Sequence, residues 1–134
     1  VPTAPSVDGF NSMGAPLIVR GFKTTYQLHS PIGVFADLDV LAKAPQTMRA
    51  AGFGDMIGKF TSLADWTFSP LEGGEPYCPV AAEWTRKALD SCVTHVDAIA
   101  DGTEAGVRVL TEALIVSGLA MLVFGRSHPA FSTA

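Results

Sequence analysis

Met56-Ile57-Gly58-Lys59-Phe60-Thr61-Ser62-Leu63-Ala64-Asp65-Trp66 is the stretch on which the fold turns. Apolar residues at 56, 57, 60, 63 and 64 fall at helical spacings, whereas the chain before Pro45 carries short runs rich in β-branched and aromatic residues. The change of period predicts a helix from Pro45 to about Phe68. Upstream, Leu17-Ile18-Val19 and Phe22-Lys23-Thr24-Thr25-Tyr26 flank Arg20-Gly21 as two strands joined by a tight turn would. Ile32 to Ala36 is a third short apolar run, so the strands are expected within residues 16 to 36. Downstream, Pro70, Gly73, Gly74, Pro76 and Pro79 mark a loop, and Pro79 suits the first turn of a helix reaching about Ile99. Asp101, with Glu104 three positions on, has the spacing of a capping box ahead of a third helix, Thr103 to Phe124, with Gly125 as its stop. The expected class is α+β: short N-terminal strands followed by a mainly α-helical domain. Phe60, Leu63, Trp84, Leu89, Leu110, Leu114 and Met121 lie on the apolar faces of these helices and are the expected core.

Composition narrows the function. Of 134 residues, 48% are hydrophobic and 16% charged, too apolar for a disordered chain and enough for one domain. The net charge of −4 and the lack of a Lys/Arg cluster argue against a nucleic-acid partner. Cys78 and Cys92 form no Cys-x-x-Cys pair, which points to a reduced, cytoplasmic protein without a zinc ribbon or redox motif. The opening Val1-Pro2-Thr3 is not a secretory signal, and a chain that starts this way reads as a piece of something longer. Ala113 to Phe124 is free of charge for twelve residues, short of the ~20 a bilayer span needs, and is expected to be a buried helix without membrane insertion.

Three sets of residues invite a chemical reading. Gly52 and Gly54 suggest a dinucleotide loop, but position 57 is Ile and the preceding sequence is helical, so close backbone approach where helical pieces meet is the better reading. On a helical wheel with Asp55 at 0°, Lys59 falls at ~40°, Ser62 at ~340° and Trp66 at ~20°, opposite in character to the apolar side near ~140°. That stripe is either a solvated face with an ordinary i,i+4 ion pair or, as Trp66 suggests, the lining of a cleft. His29, His95 and His128 have no local metal-ligand partner and read as surface residues, and Ser6-Val7-Asp8-Gly9 reads as an Asx turn.

The ordered set Thr3-Ala4-Pro5-Ser6-x-Asp8-Gly9, Ser12, Gly21-Phe22-Lys23-Thr24-Thr25, Ala36-Asp37-Leu38-Asp39, Ala44-Pro45, Ala51-Gly52-Phe53-Gly54-Asp55, Lys59 and Ala64-Asp65-Trp66 resembles the sn-glycerol-1-phosphate dehydrogenase family. That family lies within the superfamily of metal-dependent alcohol dehydrogenases and dehydroquinate synthases. The resemblance runs from residue 1 to Pro129. It implies a nucleotide-binding α/β domain, a helical domain and an active site in the cleft between them. Residues 1–40 would then be a β-rich end of the nucleotide-binding domain. Residues 41–134 would be the metal- and substrate-binding helical domain, incomplete at its C-terminus and corresponding to the domain junction and first helices of a dehydroquinate synthase-like fold.

By the same resemblance Thr3, Ala4, Pro5, Ser6 and Ser12 contact NAD(P), Asp8 contacts a small phosphorylated substrate, and Asp55 is a metal ligand that also touches substrate. Asp55 and Lys59 are the candidate catalytic pair. The implied metal is divalent, Zn with Ni or Fe as alternatives, and the implied reaction is reduction of dihydroxyacetone phosphate to glycerol 1-phosphate. A homo-oligomer is a further expectation. In the segment Ser127 to Ala134, His128, Phe131 and Ala134 stand where the family pattern has Arg, Ser and Glu, and the pattern's two metal histidines would follow. The 134 residues alone are therefore expected to be inactive. A non-catalytic helical interaction module, or a related polyol dehydrogenase or cyclase, is the alternative.

Overall fold

A computed structural model describes residues 1–69 and 76–124. Strands β1 (Gly14–Val19) and β2 (Phe22–Gln27) form an antiparallel hairpin with register Gly14↔Gln27 through Val19↔Phe22. Its two-residue turn has Arg20 at φ 53° and Gly21 at φ 84°, the pair of positive angles that matches the strands' twist. Among the described residues five helices and one short turn of helix follow: α1 (Leu38–Leu41), α2 (Gln46–Ile57), α3 (Lys59–Phe68), α4 (Pro79–Thr94), α5 (Val96–Asp101) and α6 (Glu104–Phe124). The α+β expectation holds, with the strands before the helices.

The expected boundaries need four corrections. Ile32–Ala36 forms no strand; the two-stranded sheet leaves it without a ladder partner, and Gly33 interrupts the run. The helix beginning after Pro45 is interrupted at Gly58, whose carbonyl accepts bonds from both Thr61 Oγ1 (2.9 Å) and Ser62 Oγ (3.0 Å) in competition with the backbone. The second helix breaks at His95, where Nδ1 lies 2.8 Å from the Ser91 carbonyl oxygen. Asp101 is not the cap of α6. Gly102, left-handed at φ 69°, ends α5, and Thr103 Oγ1 accepts from Gly106 N at 3.1 Å, so Thr103 is the capping residue. Pro79 does occupy the first turn of α4. The stop at Gly125, residues 70–75 of the expected loop, and Ser127 to Ala134 with His128, Phe131 and Ala134 lie outside the described residues.

Helix α6 is the axis of the body and packs against α1, α2, α4 and α5. Leu89, Leu110, Leu114, Met56, Cys92 and Ile99 meet in one buried cluster, and Leu63, Trp66, Ala81, Ala82 and Ala120 in a second. Of the expected core, Leu63, Leu89, Leu110 and Leu114 are buried and Met121 is half-buried. Phe60 and Trp84 are corrections: they are 55% and 39% exposed. Met56, Leu63 and Trp66 face inward, and this turns Phe60 out of the interior. Over Glu104–Val123, α6 is long and apolar enough to cross a membrane by length and composition, so shortness does not exclude insertion as the twelve-residue stretch suggested. Half of that span is buried against the rest of the fold.

Candidate functional site

The segment from Pro5 to Asn11 lies in a seat made by two glycines. A Cβ on Gly52 of α2 would overlap the Pro5 carbonyl, and one on Gly118 of α6 would come within 2.5 Å of the Asp8 carbonyl oxygen. Gly52 thus admits a close approach, although to the N-terminal segment rather than to a second helix. Gly54 has nothing within 4 Å of its Cβ direction, and the close-approach expectation is corrected there. Asn11 Nδ2 donates to the Ile115 carbonyl of α6 at 3.1 Å and fastens the end of the segment.

This seating brings Asp8 to the face of α2 and α3 that carries Asp55 and Lys59. Lys59 Nζ lies 2.8 Å from Asp8 Oδ2 and 3.7 Å from Asp55 Oδ1, and the lysine side chain is 0% exposed. The Asp8 backbone N–H donates to Asp55 Oδ2 at 2.8 Å, and Ser117 Oγ of α6 donates to Asp8 Oδ2 at 2.8 Å. Asp8 therefore turns its carboxylate inward to Lys59 and Ser117, and caps no backbone with it as an Asx turn would. The stripe of Asp55, Lys59, Ser62 and Trp66 is not a solvated face: the last three are buried, and Trp66 Nε1 donates to the Pro76 carbonyl at 3.1 Å.

The electrostatics distinguish the two acids. Burial, and then the nearby Asp8 carboxylate, hold Asp55 above its ordinary 3.8, although Lys59 and the Asp8 N–H pull in the opposite direction. Asp8 Oδ2 takes two close donors, whereas among the described residues Lys59 comes no nearer than 3.7 Å to Asp55 Oδ1. Asp55 Oδ1, with Lys59 no closer than 3.7 Å and its carboxyl held above the ordinary value, fits the holding of a further cation. Among the described residues no cluster of three or more His, Cys, Asp or Glu side chains can hold a metal, so Asp55 fits as one ligand and not as a whole site.

The other sequence candidates take definite places. Pro5 is buried, Ala4 and Ser6 are half-buried, and Thr3 and Ser12 are exposed. Ser12 Oγ accepts from Gly14 N at 2.9 Å, where the segment enters β1. His29 and His95 are exposed, as surface histidines would be. Cys78 and Cys92 are both free thiols, and burial pushes Cys92 up to about 11, which removes it as a nucleophile. Sequence reasoning missed Ser117, Gly118 and Asn11. Ser117 and Gly118 had one signal, the Ser-Gly pair inside the otherwise apolar run Ala113 to Phe124, and Asn11 had none.

The chain is similar to known proteins over most of its length. The family described as iron-containing alcohol dehydrogenase matches residues 1–45. Over 130 residues the chain is 60% identical to a glycerol-1-phosphate dehydrogenase [NAD(P)+] of Halalkalibacterium halodurans, covering 97% of this chain and 33% of that protein. It is 58% identical over 129 residues to the enzyme of the same name from Bacillus subtilis, covering 96% and 33%. Against the one from Sulfurisphaera tokodaii it is 40% identical over 130 residues, covering 97% and 37%. The chain spans about a third of the length of the curated relatives it matches.

Proposed function

We propose that these residues are the substrate-facing part of an NAD(P)-dependent, metal-dependent sn-glycerol-1-phosphate dehydrogenase that reduces dihydroxyacetone phosphate. One observation carries the reading. In a chain 60% identical to an enzyme of that name, a fully buried lysine joins two aspartates that are 47 positions apart in sequence. Buried ion pairs are weak stabilisers, so a cluster of this kind is better explained by what it binds.

When bound, the nicotinamide supplies the hydride and the divalent cation, Zn with Ni or Fe as alternatives, polarises the substrate carbonyl. Asp55 would hold that cation through Oδ1 as one ligand of several, the others coming from residues outside those described. Asp8, the other carboxylate of the Lys59 ion pair, would contact the phosphorylated substrate. Lys59 lies between Asp8 Oδ2 and Asp55 Oδ1 and offsets the repulsion of two carboxylates that face one site. Thr3, Ala4, Pro5, Ser6 and Ser12 would contact the NAD(P) cofactor. The free Cys78 and Cys92 suit a reducing compartment such as the cytoplasm.

The test is an assay of the full-length polypeptide carrying this segment, following NADH or NADPH oxidation with dihydroxyacetone phosphate. A rate lost on chelation and restored by a divalent metal is expected. A full-length protein that leaves both nucleotides unoxidised with that substrate overturns the proposal. The 134 residues alone should show no turnover and only weak Zn²⁺ binding in calorimetry. Tight stoichiometric binding abolished by Asp55→Ala would overturn that part of the reading.

A further inference from the structure

We infer that Ser117 is a positioning residue for substrate binding, the means by which α6 aims the Asp8 carboxylate. This rests on the proposed reading of Asp8 as a substrate contact. Ser117 is 1% exposed and its Oγ donates to Asp8 Oδ2 at 2.8 Å across 109 positions of sequence. A hydroxyl in the middle of a buried helix ordinarily bonds back to the carbonyl four residues earlier, as Thr111 does to Val107 at 2.7 Å. Ser117 instead reaches across to the N-terminal segment. Its neighbour Gly118 removes the Cβ that would collide with the Asp8 carbonyl, so the helix is relieved of bulk at the one place where the hydroxyl must approach.

The consequence is directional. Ser117 and Lys59 both donate to Oδ2, which leaves Oδ1 as the Asp8 oxygen to accept from a substrate hydroxyl. Without Ser117 the Asp8 carboxylate loses one of the two donors that hold Oδ2, and Lys59 is left to aim it. The residue would act through Asp8 and touch neither substrate nor cofactor.

The experiment is steady-state kinetics of the full-length enzyme carrying Ser117→Ala, with Ser117→Cys as a variant of similar size and weaker donor strength. The expected result is a rise of about tenfold in KM for dihydroxyacetone phosphate, with kcat changed less than about threefold and KM for the nicotinamide cofactor unchanged, the pattern of lost uniform substrate binding. Ser117→Cys should show the same selective rise at smaller amplitude, which keeps the test open if the alanine variant misfolds. Unchanged KM for dihydroxyacetone phosphate in a folded variant overturns the inference, as does an equal loss against both substrates. If the wild-type enzyme itself fails to reduce dihydroxyacetone phosphate, the proposed function fails first and separately.

Discussion

Residues 5–11 and residues 14–27 are neighbours in the chain and opposites in fate. The first stretch includes Asp8 and Asn11, two polar residues that are nearly or fully buried, and it fits between α2 and α6. The second is rich in β-branched and aromatic residues, yet Leu17, Ile18, Val19, Phe22 and Tyr26 are all exposed. Hydrophobicity alone orders these two segments the wrong way round. What buries the polar one is a set of specific partners: Lys59, Ser117, Asp55 and the missing side chains of Gly52 and Gly118. What leaves the apolar one outside is that a two-stranded ribbon satisfies its own hydrogen bonds while neither face meets the helices.

The largest effect expected from this contrast is at Lys59. Lys59→Met leaves two facing carboxylates with no cation between them, and losing one partner of a buried pair costs about 3–5 kcal/mol. Thermal unfolding should show the midpoint falling by roughly 10 °C or more for a chain of this size. A shift of a degree or two would mean that the polar segment is held by packing alone.

Two glycines two positions apart in α2 sharpen the point. Gly52→Ala drives a methyl into the Pro5 carbonyl, and the strain of displacing the N-terminal segment, about 1–3 kcal/mol, outweighs the ~1 kcal/mol helix gain. Gly54→Ala meets nothing within 4 Å and should stabilise by about 0.5–1 kcal/mol, both variants being read by denaturant titration. Equal effects from both would break the account of a seat at Gly52. At the other extreme, Ile18→Thr on the hairpin, at a site 80% exposed, should stay within about 0.5 kcal/mol of wild type.

Much of the frame was legible in the residues. The hairpin was readable because Arg20-Gly21 separates two β-favouring runs at two-residue turn spacing, and the helices because their apolar residues repeat at helical intervals. The break at Gly58 was hidden, since it depends on where the Thr61 and Ser62 hydroxyls point. The site was half legible. Asp55 and Lys59 lie four apart on one face, and the resemblance added Asp8. Which face is buried could not be read from hydrophobicity, because Lys59 and Ser62 went in while Phe60 stayed out. Ser117 is 109 positions from its partner Asp8, a distance no local pattern spans.

The central claim is that the acid pair is there for what it binds and at the expense of the fold. Asp55 is held above its ordinary 3.8, so the folded chain grips that proton more tightly than the unfolded chain does. Stability from this group is fullest below 3.8 and declines as pH rises through the folded value. The measurement that tests this most directly is thermal unfolding of the wild-type and Asp55→Asn chains from acid to neutral pH. The account predicts that the asparagine chain is at least as stable as wild type at neutral pH, and that its stability declines less from acid to neutral. A variant that unfolds several degrees below wild type at neutral pH would contradict it, and would make Asp55 a structural residue.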